Sequence, residues 1–236
     1  MTAYNAKLIR KLRLFLLDLL YPARCEICGR FVSYDENICR DCQNSLKTYT
    51  GFCQKCGFTK CRCKEKALSY DGAFSLWVYE GAARRAVLNL KERDCSGICD
   101  MFASAVRERF KEDNFDAVCF VPMTKERKKV FGFNQAELIA DAVGKKLSVP
   151  IIKDALIKTK NYSHHELSRK ERETAVINAF CVKNTKSLKG KNILLCDDIM
   201  TTGSTMNECA GVLKTAGVKS VTVISIANAE GGDNDR

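Results

Sequence analysis

Eight of the fourteen cysteines fall between Cys25 and Cys63. They run Cys25-x2-Cys28, ten residues, Cys39-x2-Cys42, ten residues, Cys53-x2-Cys56, four residues, Cys61-x-Cys63. Two thiolates two residues apart in a tight turn can grip one tetrahedral ion, and two such pairs complete a zinc site with four cysteine ligands. Gly29 and Gly57 follow the second cysteine of their pairs, which suits a turn needing positive φ. Eight ligands make two ions. Sequential pairing gives Cys25, Cys28, Cys39 and Cys42 to one and Cys53, Cys56, Cys61 and Cys63 to the other; an interleaved pairing fits the spacing as well. The segment has too few apolar residues for a core of its own, and a structural zinc supplies about 10–16 kcal/mol of apparent binding energy to folding.

The second constellation is Ile193-Leu-Leu-Cys-Asp-Asp-Ile-Met-Thr-Thr-Gly-Ser-Thr205. Thr201, Thr202, Gly203, Ser204 and Thr205 offer backbone N–H groups and hydroxyls at a helix N-terminus, where a phosphate is favoured. Asp197 and Asp198 are acceptors just upstream, suited to sugar hydroxyls or hydrated Mg²⁺. A phosphate cradle beside a hydroxyl-binding pair describes a ribose 5-phosphate site. A capped loop with two solvated aspartates is the plainer reading of the same residues. No G-x-x-x-x-G-K-[ST] accompanies the segment, which excludes a P-loop nucleotidase.

Elements to position these residues follow from the hydrophobic pattern. Ala117–Pro122, Val149–Ile152, Asn192–Cys196 and Val221–Ala227 are short apolar, partly β-branched runs that read as buried strands. Between them, Leu138, Ile139, Ala142 and Val143 share one helix face, and Met206, Cys209, Ala210 and Leu213 another, with Gly217 placed as a C-cap. Alternating strands and helices predict a parallel sheet covered on both faces, with ligands beyond the carboxyl ends of the strands. The strand Ile193–Cys196 then ends just before the aspartates, and Asp197–Thr205 forms the loop that runs into a helix. The division predicted is an amphipathic N-terminal helix over 1–22, the cysteine-rich module over 23–66, an α/β domain over 67–228 and a flexible tail over 229–236. Losing Cys25 or Cys28 should unfold the module while leaving the phosphate loop able to form, and, if the two domains fold independently, removing 1–64 should leave ligand binding at that loop intact.

Composition narrows the partners. The chain has 236 residues, 46% of them apolar, and a formal charge of +11. Residues 1–64 hold twelve Lys/Arg and five Asp/Glu, or +7. Each zinc with four thiolates carries −2, so two such units bring the chain to about +7 and residues 1–64 to about +3, which weakens a nucleic-acid reading based on raw charge. No run of eighteen apolar residues predicts a transmembrane helix. Asp18 interrupts the leucine-rich N-terminal run and no small-residue cleavage site follows, so a cytoplasmic, reducing location is expected, in which the thiols bind metal rather than pair as disulfides.

The aspartate–threonine segment closely resembles the motif by which type I phosphoribosyltransferases bind 5-phosphoribosyl 1-pyrophosphate (PRPP). Joined to the cysteine module, the chain resembles the ComF family. "LLDLLYPARCEICG" is similar to that family's entry into its double zinc ribbon, and "YEGAARRAVLNLKER" to the segment opening its transferase domain. "FVPMTKERKKVFGFNQAELIA" resembles its pyrophosphate loop and following helix, and "HHELSRKERETAVINAF" its mobile loop. The resemblance implies a type I phosphoribosyltransferase-like sheet with a small N-terminal double zinc ribbon. It gives Asp197 and Asp198 the ribose hydroxyls, Thr201–Thr205 the 5-phosphate, Lys125 and Arg127 the pyrophosphate, and Arg172 a place on the mobile loop. It implies structural Zn²⁺, Mg²⁺ with PRPP, an acceptor the sequence does not name, and a role in natural competence and DNA uptake. Three positions depart from the family pattern: Phe131 stands where arginine is common, His164 where glutamine is usual, and Ala175 where asparagine is usual.

A second function class shares these residues. Phe31, Tyr34, Tyr49, Phe52 and Phe58 lie among cations in the module, and stacking aromatics with cations can hold single-stranded DNA. The same rings would also serve as the module's own core. On the DNA reading the PRPP site is a sensor or scaffold in a non-catalytic DNA-handling factor. A transferase-domain DNA surface would centre on Lys125, Arg127, Lys128 and Lys129.

Overall fold

The computed structural model describes residues 22–64, 67–93, 95–158, 179–183 and 185–230. Residues 1–21 of the expected N-terminal helix, and Arg172, His164, His165 and Ala175, lie outside the described residues. The central sheet has four parallel strands in the order β1-β6-β5-β2. They are β1 (Gly72–Val78), β2 (Ala117–Phe120), β5 (Asn192–Met200) and β6 (Ser220–Asn228). A separate antiparallel ribbon pairs β3 (Leu156–Lys158) with β4 (Phe180–Val182). The helices are α1 (Arg40–Ser45), α2 (Gly81–Asn89), α3 (Ser96–Arg109), α4 (Lys125–Phe131), α5 (Gln135–Leu147) and α6 (Ser204–Thr215).

The two-residue period of the strands sorts their side chains into two cores. Val118, Phe120, Leu194, Cys196, Ile224 and Ile226 pack against α2, α3 and α5 on one face. Ala117, Cys119, Ile193, Leu195, Val221 and Val223 pack against α6 and the β3–β4 ribbon on the other. A parallel sheet with both faces buried needs such runs. The helix stripes agree: Met206, Cys209, Ala210 and Leu213 are buried on α6, while Ile139 and Val143 are buried on α5 with Leu138 and Ala142 at its margin. Gly217 lies beyond the end of α6 with φ +90°, as its capping place requires.

Two expectations change, and one strand was not anticipated. Val149–Ile152 is not a strand; it touches β2 through a single bridge, Ile151 to Val118. Pro150 accepts from Val118 N at 2.9 Å but has no N–H to return, so no ladder extends through it. Strand β1 was not among the predicted runs: it carries no clean alternation, because Ser75 sits in the sheet interior, where its hydroxyl meets that of Ser225 at 2.7 Å. And β5 does not stop at Cys196: it stays paired with β6 through Asp197–Ser225, Ile199–Ala227 and Met200–Asn228, so both aspartates belong to the strand.

The cysteine module is built into both cores. Cys25, Ile27, Ile38, Cys39 and Cys42 join the α2–α3–α5 face. Cys56 and Phe58 join the α6 face, beside Tyr70 and Met200. Between the two cysteine clusters the chain runs along the outer edge of β1: Val78 N donates to Lys47 O and Tyr49 N to Leu76 O, both at 2.9 Å. That pairing covers an edge that would otherwise present unpaired N–H and C=O groups. Polar ties reinforce the docking. The Glu26 carboxylate, inside the first Cys-x2-Cys turn, accepts from Gly97 N and Ile98 N at 2.8 Å each and so caps α3. Glu230, just past β6, accepts from the Tyr49 hydroxyl at 2.7 Å and from the Thr59 N–H and hydroxyl. These contacts tie the described part of the module, residues 22–64, to the α/β domain.

Candidate functional site

The sulfurs form two sets, Cys25/Cys28/Cys39/Cys42 and Cys53/Cys56/Cys61/Cys63, each with its sulfur atoms within 4.8 Å of one another. This is the sequential pairing. Cys28 and Cys39 sulfurs lie 3.7 Å apart, as do those of Cys53 and Cys63. Corners of a tetrahedron with bonds of about 2.3 Å stand about 3.8 Å apart, the spacing these two pairs already have. Gly29 and Gly57 take φ +74° and +78° behind their cysteines, as predicted. The electrostatics also call for a cation. Backbone N–H groups of Cys56 and Lys55 hold Cys53 down to about 6. Burial, followed by the neighbouring sulfurs, pushes Cys63 up to about 12. Four thiolates this close repel until a positive ion stands among them.

The carboxyl ends of β2 and β5 lie side by side, joined by Val121 N to Cys196 O at 2.9 Å. Strand parity sets Asp197 on the α6 side, following Ile193 and Leu195, and Asp198 on the side of Leu194 and Cys196. Asp198 N donates to the Asp197 carboxylate at 2.9 Å. Burial, and next the adjacent Asp198 charge, raise the Asp197 carboxyl well above the usual carboxylate range; the Asp198 N–H and Lys158 pull the other way.

After Met200 the chain turns through Thr201 and Thr202, both exposed, to a buried Gly203 with φ +73°, the N-cap of α6. Only glycine takes that backbone angle without strain. Ser204 and Thr205 are the first helical residues rather than loop. The Thr202 hydroxyl donates to the Ser204 hydroxyl at 2.9 Å. Ser204 N donates to the Thr202 hydroxyl at 3.4 Å, and the first turn of α6 begins a short loop after β5, where an anion would be stabilised.

Lys125 and Arg127 stand on the first turn of α4, just beyond β2; Arg127 N is capped by the Thr124 hydroxyl at 3.3 Å. The Arg127 guanidinium is exposed and lies 5.8 Å from the Phe131 ring centre. Lys128, in the same basic run, pairs with Glu137 at 3.3 Å, so part of that positive charge is already answered.

Lys158, at the end of β3, was not singled out from the sequence. Its ammonium lies 5.4 Å from the Phe180 ring centre. Burial lowers it below the ordinary lysine value and Arg127 pushes the same way, while Asp197 opposes. A lone lysine closing an apolar run was its only signal.

The aromatic set divides. Tyr49 and Phe58 are buried, and Phe52 packs on Tyr49 with ring centres 5.2 Å apart. Phe31 and Tyr34 remain exposed at 59% and 56%, with the Arg24 guanidinium 4.2 Å from the Phe31 ring centre. A cleft of about 820 Å³ runs along α6, lined by Cys56, Phe58, Tyr70, Phe180, Asn207 and Gly203. It also takes in Thr202 and Ser204 but neither Asp197 nor Asp198. No helix among the described residues is long and apolar enough to cross a membrane.

A phosphoribosyl transferase domain model matches residues 134–236, and a double zinc ribbon domain model matches residues 16–71. Competence protein ComFC of Bacillus subtilis (strain 168) is 28% identical over 213 residues, covering 80% of this chain and 85% of its own. Competence protein F of Haemophilus influenzae is 27% identical over 226 residues, covering 87% and 97%. DNA utilization protein YhgH of Escherichia coli (strain K12) is 24% identical over 221 residues, covering 87% and 96%.

Proposed function

We propose that the chain, which joins a stretch matching a double zinc ribbon domain to one matching a phosphoribosyl transferase domain and resembles competence proteins over most of its length, binds PRPP with Mg²⁺ and transfers the phosphoribosyl group to an acceptor. The observation that carries the reading is the run at the carboxyl end of β5: two carboxylates on the strand, then a glycine with positive φ opening the N-terminus of α6. Asp197 and Asp198 would accept hydrogen bonds from the ribose hydroxyls. Thr201, Thr202, Gly203, Ser204 and Thr205 would surround the 5-phosphate with backbone N–H groups and hydroxyls.

Transfer breaks the bond from C1 to pyrophosphate oxygen, and positive charge develops on the ribose as the pyrophosphate leaves with the bonding electrons. The protein's part is to hold the ribose still, meet the leaving charge and admit the nucleophile. Arg127 and Lys125 on α4, and Lys158 at the end of β3, would be the cations offered to the leaving group; the resemblance gives Arg172 the same work. Bound Mg²⁺ would neutralise pyrophosphate charge, with the Asp197–Asp198 pair as its nearest protein acceptors. Zinc would be structural, on the eight thiolates, in a cytoplasm that keeps them reduced. Release of pyrophosphate from PRPP, screened against purines, pyrimidines, amines and single-stranded DNA, tests the transfer. Tight PRPP binding with no release for any acceptor would leave a sensor in place of an enzyme.

That sensor is the second reading, favoured by exposed Phe31 and Tyr34 beside Arg24 and by relatives whose names concern competence and DNA utilization. Here the chain handles incoming single-stranded DNA with the competence machinery. With about +3 on residues 1–64 after zinc, few phosphates are neutralised, and the log–log salt slope of DNA binding should be shallow, about −2 to −4 at about −0.7 per phosphate. A steeper slope, or affinity unchanged in a Phe31→Ala/Tyr34→Ala variant, would remove the ribbon as the DNA surface.

A further inference from the structure

Phe58 belongs to the second zinc ribbon, in the loop between Cys56 and Cys61, yet it is 2% exposed and packed in the transferase core with Met200 and Met206. Its neighbour across the interface is the phosphate loop itself. A Cβ built on Gly203 would stand 3.4 Å from both Cε2 and Cζ of Phe58 and 3.1 Å from Met200 Cε. On the ribbon side the approach is just as close, since a Cβ on Gly57 would stand 2.7 Å from the Ala73 side chain and 3.4 Å from the Met200 sulfur. Asn228 donates to Gly57 O at 3.1 Å, and Ala229 N donates to Met200 O at 2.9 Å, so both sides are fixed to the end of β6. The Arg62 guanidinium covers the Phe58 ring at 4.2 Å from its centre.

We infer that Phe58 is a positioning residue for the phosphate loop: its ring is the floor on which Gly203 turns, and it holds the first N–H groups of α6 at the angle a phosphate needs. The argument is steric. Gly203 has no side chain, so nothing of its own fixes a φ of +73°. The surfaces against it do, and they are Phe58 and Met200. Interiors at this density transmit displacement rather than absorb it, so removing a ring from under a loop moves the loop. A metal-binding ribbon would in this way set the quality of a site to which it contributes no ligand-binding atom. The inference rests on the PRPP reading only for the identity of the phosphate.

The test uses the full-length protein as wild type, Phe58→Ala and Phe58→Leu, each checked for two zinc ions and a cooperative melt. The first readout is hydrogen exchange of residues 201–205 without ligand. The second is calorimetric titration with Mg²⁺–PRPP and, separately, with inorganic phosphate. Phe58→Ala should speed exchange in 201–205 while β5 and β6 keep their protection, and should weaken PRPP by about tenfold or more, since displacements of about 1 Å reach that size. Phe58→Leu should recover most of both. If Phe58→Ala does not fold, Phe58→Leu decides alone, with a smaller loss expected in both readouts. Unchanged exchange and unchanged affinity in a folded, zinc-loaded variant would overturn the inference. A wild type that binds no PRPP, while exchange still responds to Phe58, would sink the PRPP reading and leave the positioning role standing.

Discussion

Asp197 is half-buried at the end of β5 with a second carboxylate as its sequence neighbour, and its carboxyl is raised well above the usual range, first by burial and then by Asp198. A raised carboxyl favours the protonated form in the folded chain. Its contribution to stability is complete below the unfolded pKa of about 3.9 and is lost as pH rises through the higher folded value. Asp197→Asn removes that loss, so the variant should gain on the wild type as pH rises from 4 to 8 and melt at least as high at neutral pH. Melting curves across that range check it; an Asn variant that falls behind as pH rises would show the carboxylate to be stabilised by a partner. The two four-cysteine sets were legible in the sequence because their chemistry lies in residue type and local spacing. Lys158, Glu26, Glu230 and Phe58 were not, because their roles arise from residues far away along the chain. Glu230 and Thr59, for example, are 171 positions apart.

At the scale of elements, the predicted order of the later strands and helices holds, and the ends are where it fails. Asp197 and Asp198 read as loop because acidic pairs disfavour strands, yet β6 continues alongside to Asn228 and supplies ladder partners to Met200. Val149–Ile152 failed in the opposite sense, since Pro150 denies it a ladder. Nor could the pattern show that α3 is capped from outside. Its N-cap, Cys95, makes no side-chain cap; the carboxylate that takes Gly97 N and Ile98 N is Glu26, inside the first zinc turn. Replacing a cap of this kind by alanine costs about 0.5–2 kcal/mol, and charge-assisted bonds put Glu26→Ala toward the upper end. Denaturant unfolding with zinc content held equal measures it. A change within error would mean that α3 starts without help from the ribbon.

At the scale of the whole molecule, each ribbon closes one face of the sheet: Cys25, Ile27, Ile38, Cys39 and Cys42 on the α2–α3–α5 side, Cys56 and Phe58 on the α6 side. A division at about residue 66 follows the composition of the chain but cuts through both cores. Zinc and transferase fold should therefore fail together. Calorimetric scans of the zinc-loaded protein should show one transition, and stripping zinc, worth about 10–16 kcal/mol per structural site in apparent terms, should abolish it or lower it as a unit. A transferase transition that survives chelation at its original temperature would separate the two modules. The central claim is that the end of β5 and the start of α6 hold PRPP, and calorimetric titration of the full-length, zinc-loaded protein with Mg²⁺–PRPP tests it most directly. The account predicts saturable binding in the wild type, a loss of about 1.5–3 kcal/mol in Asp198→Asn from the removed charged acceptor, and a larger loss in the Asp197→Asn/Asp198→Asn double variant. Equal affinity in the wild type and the double variant would contradict it.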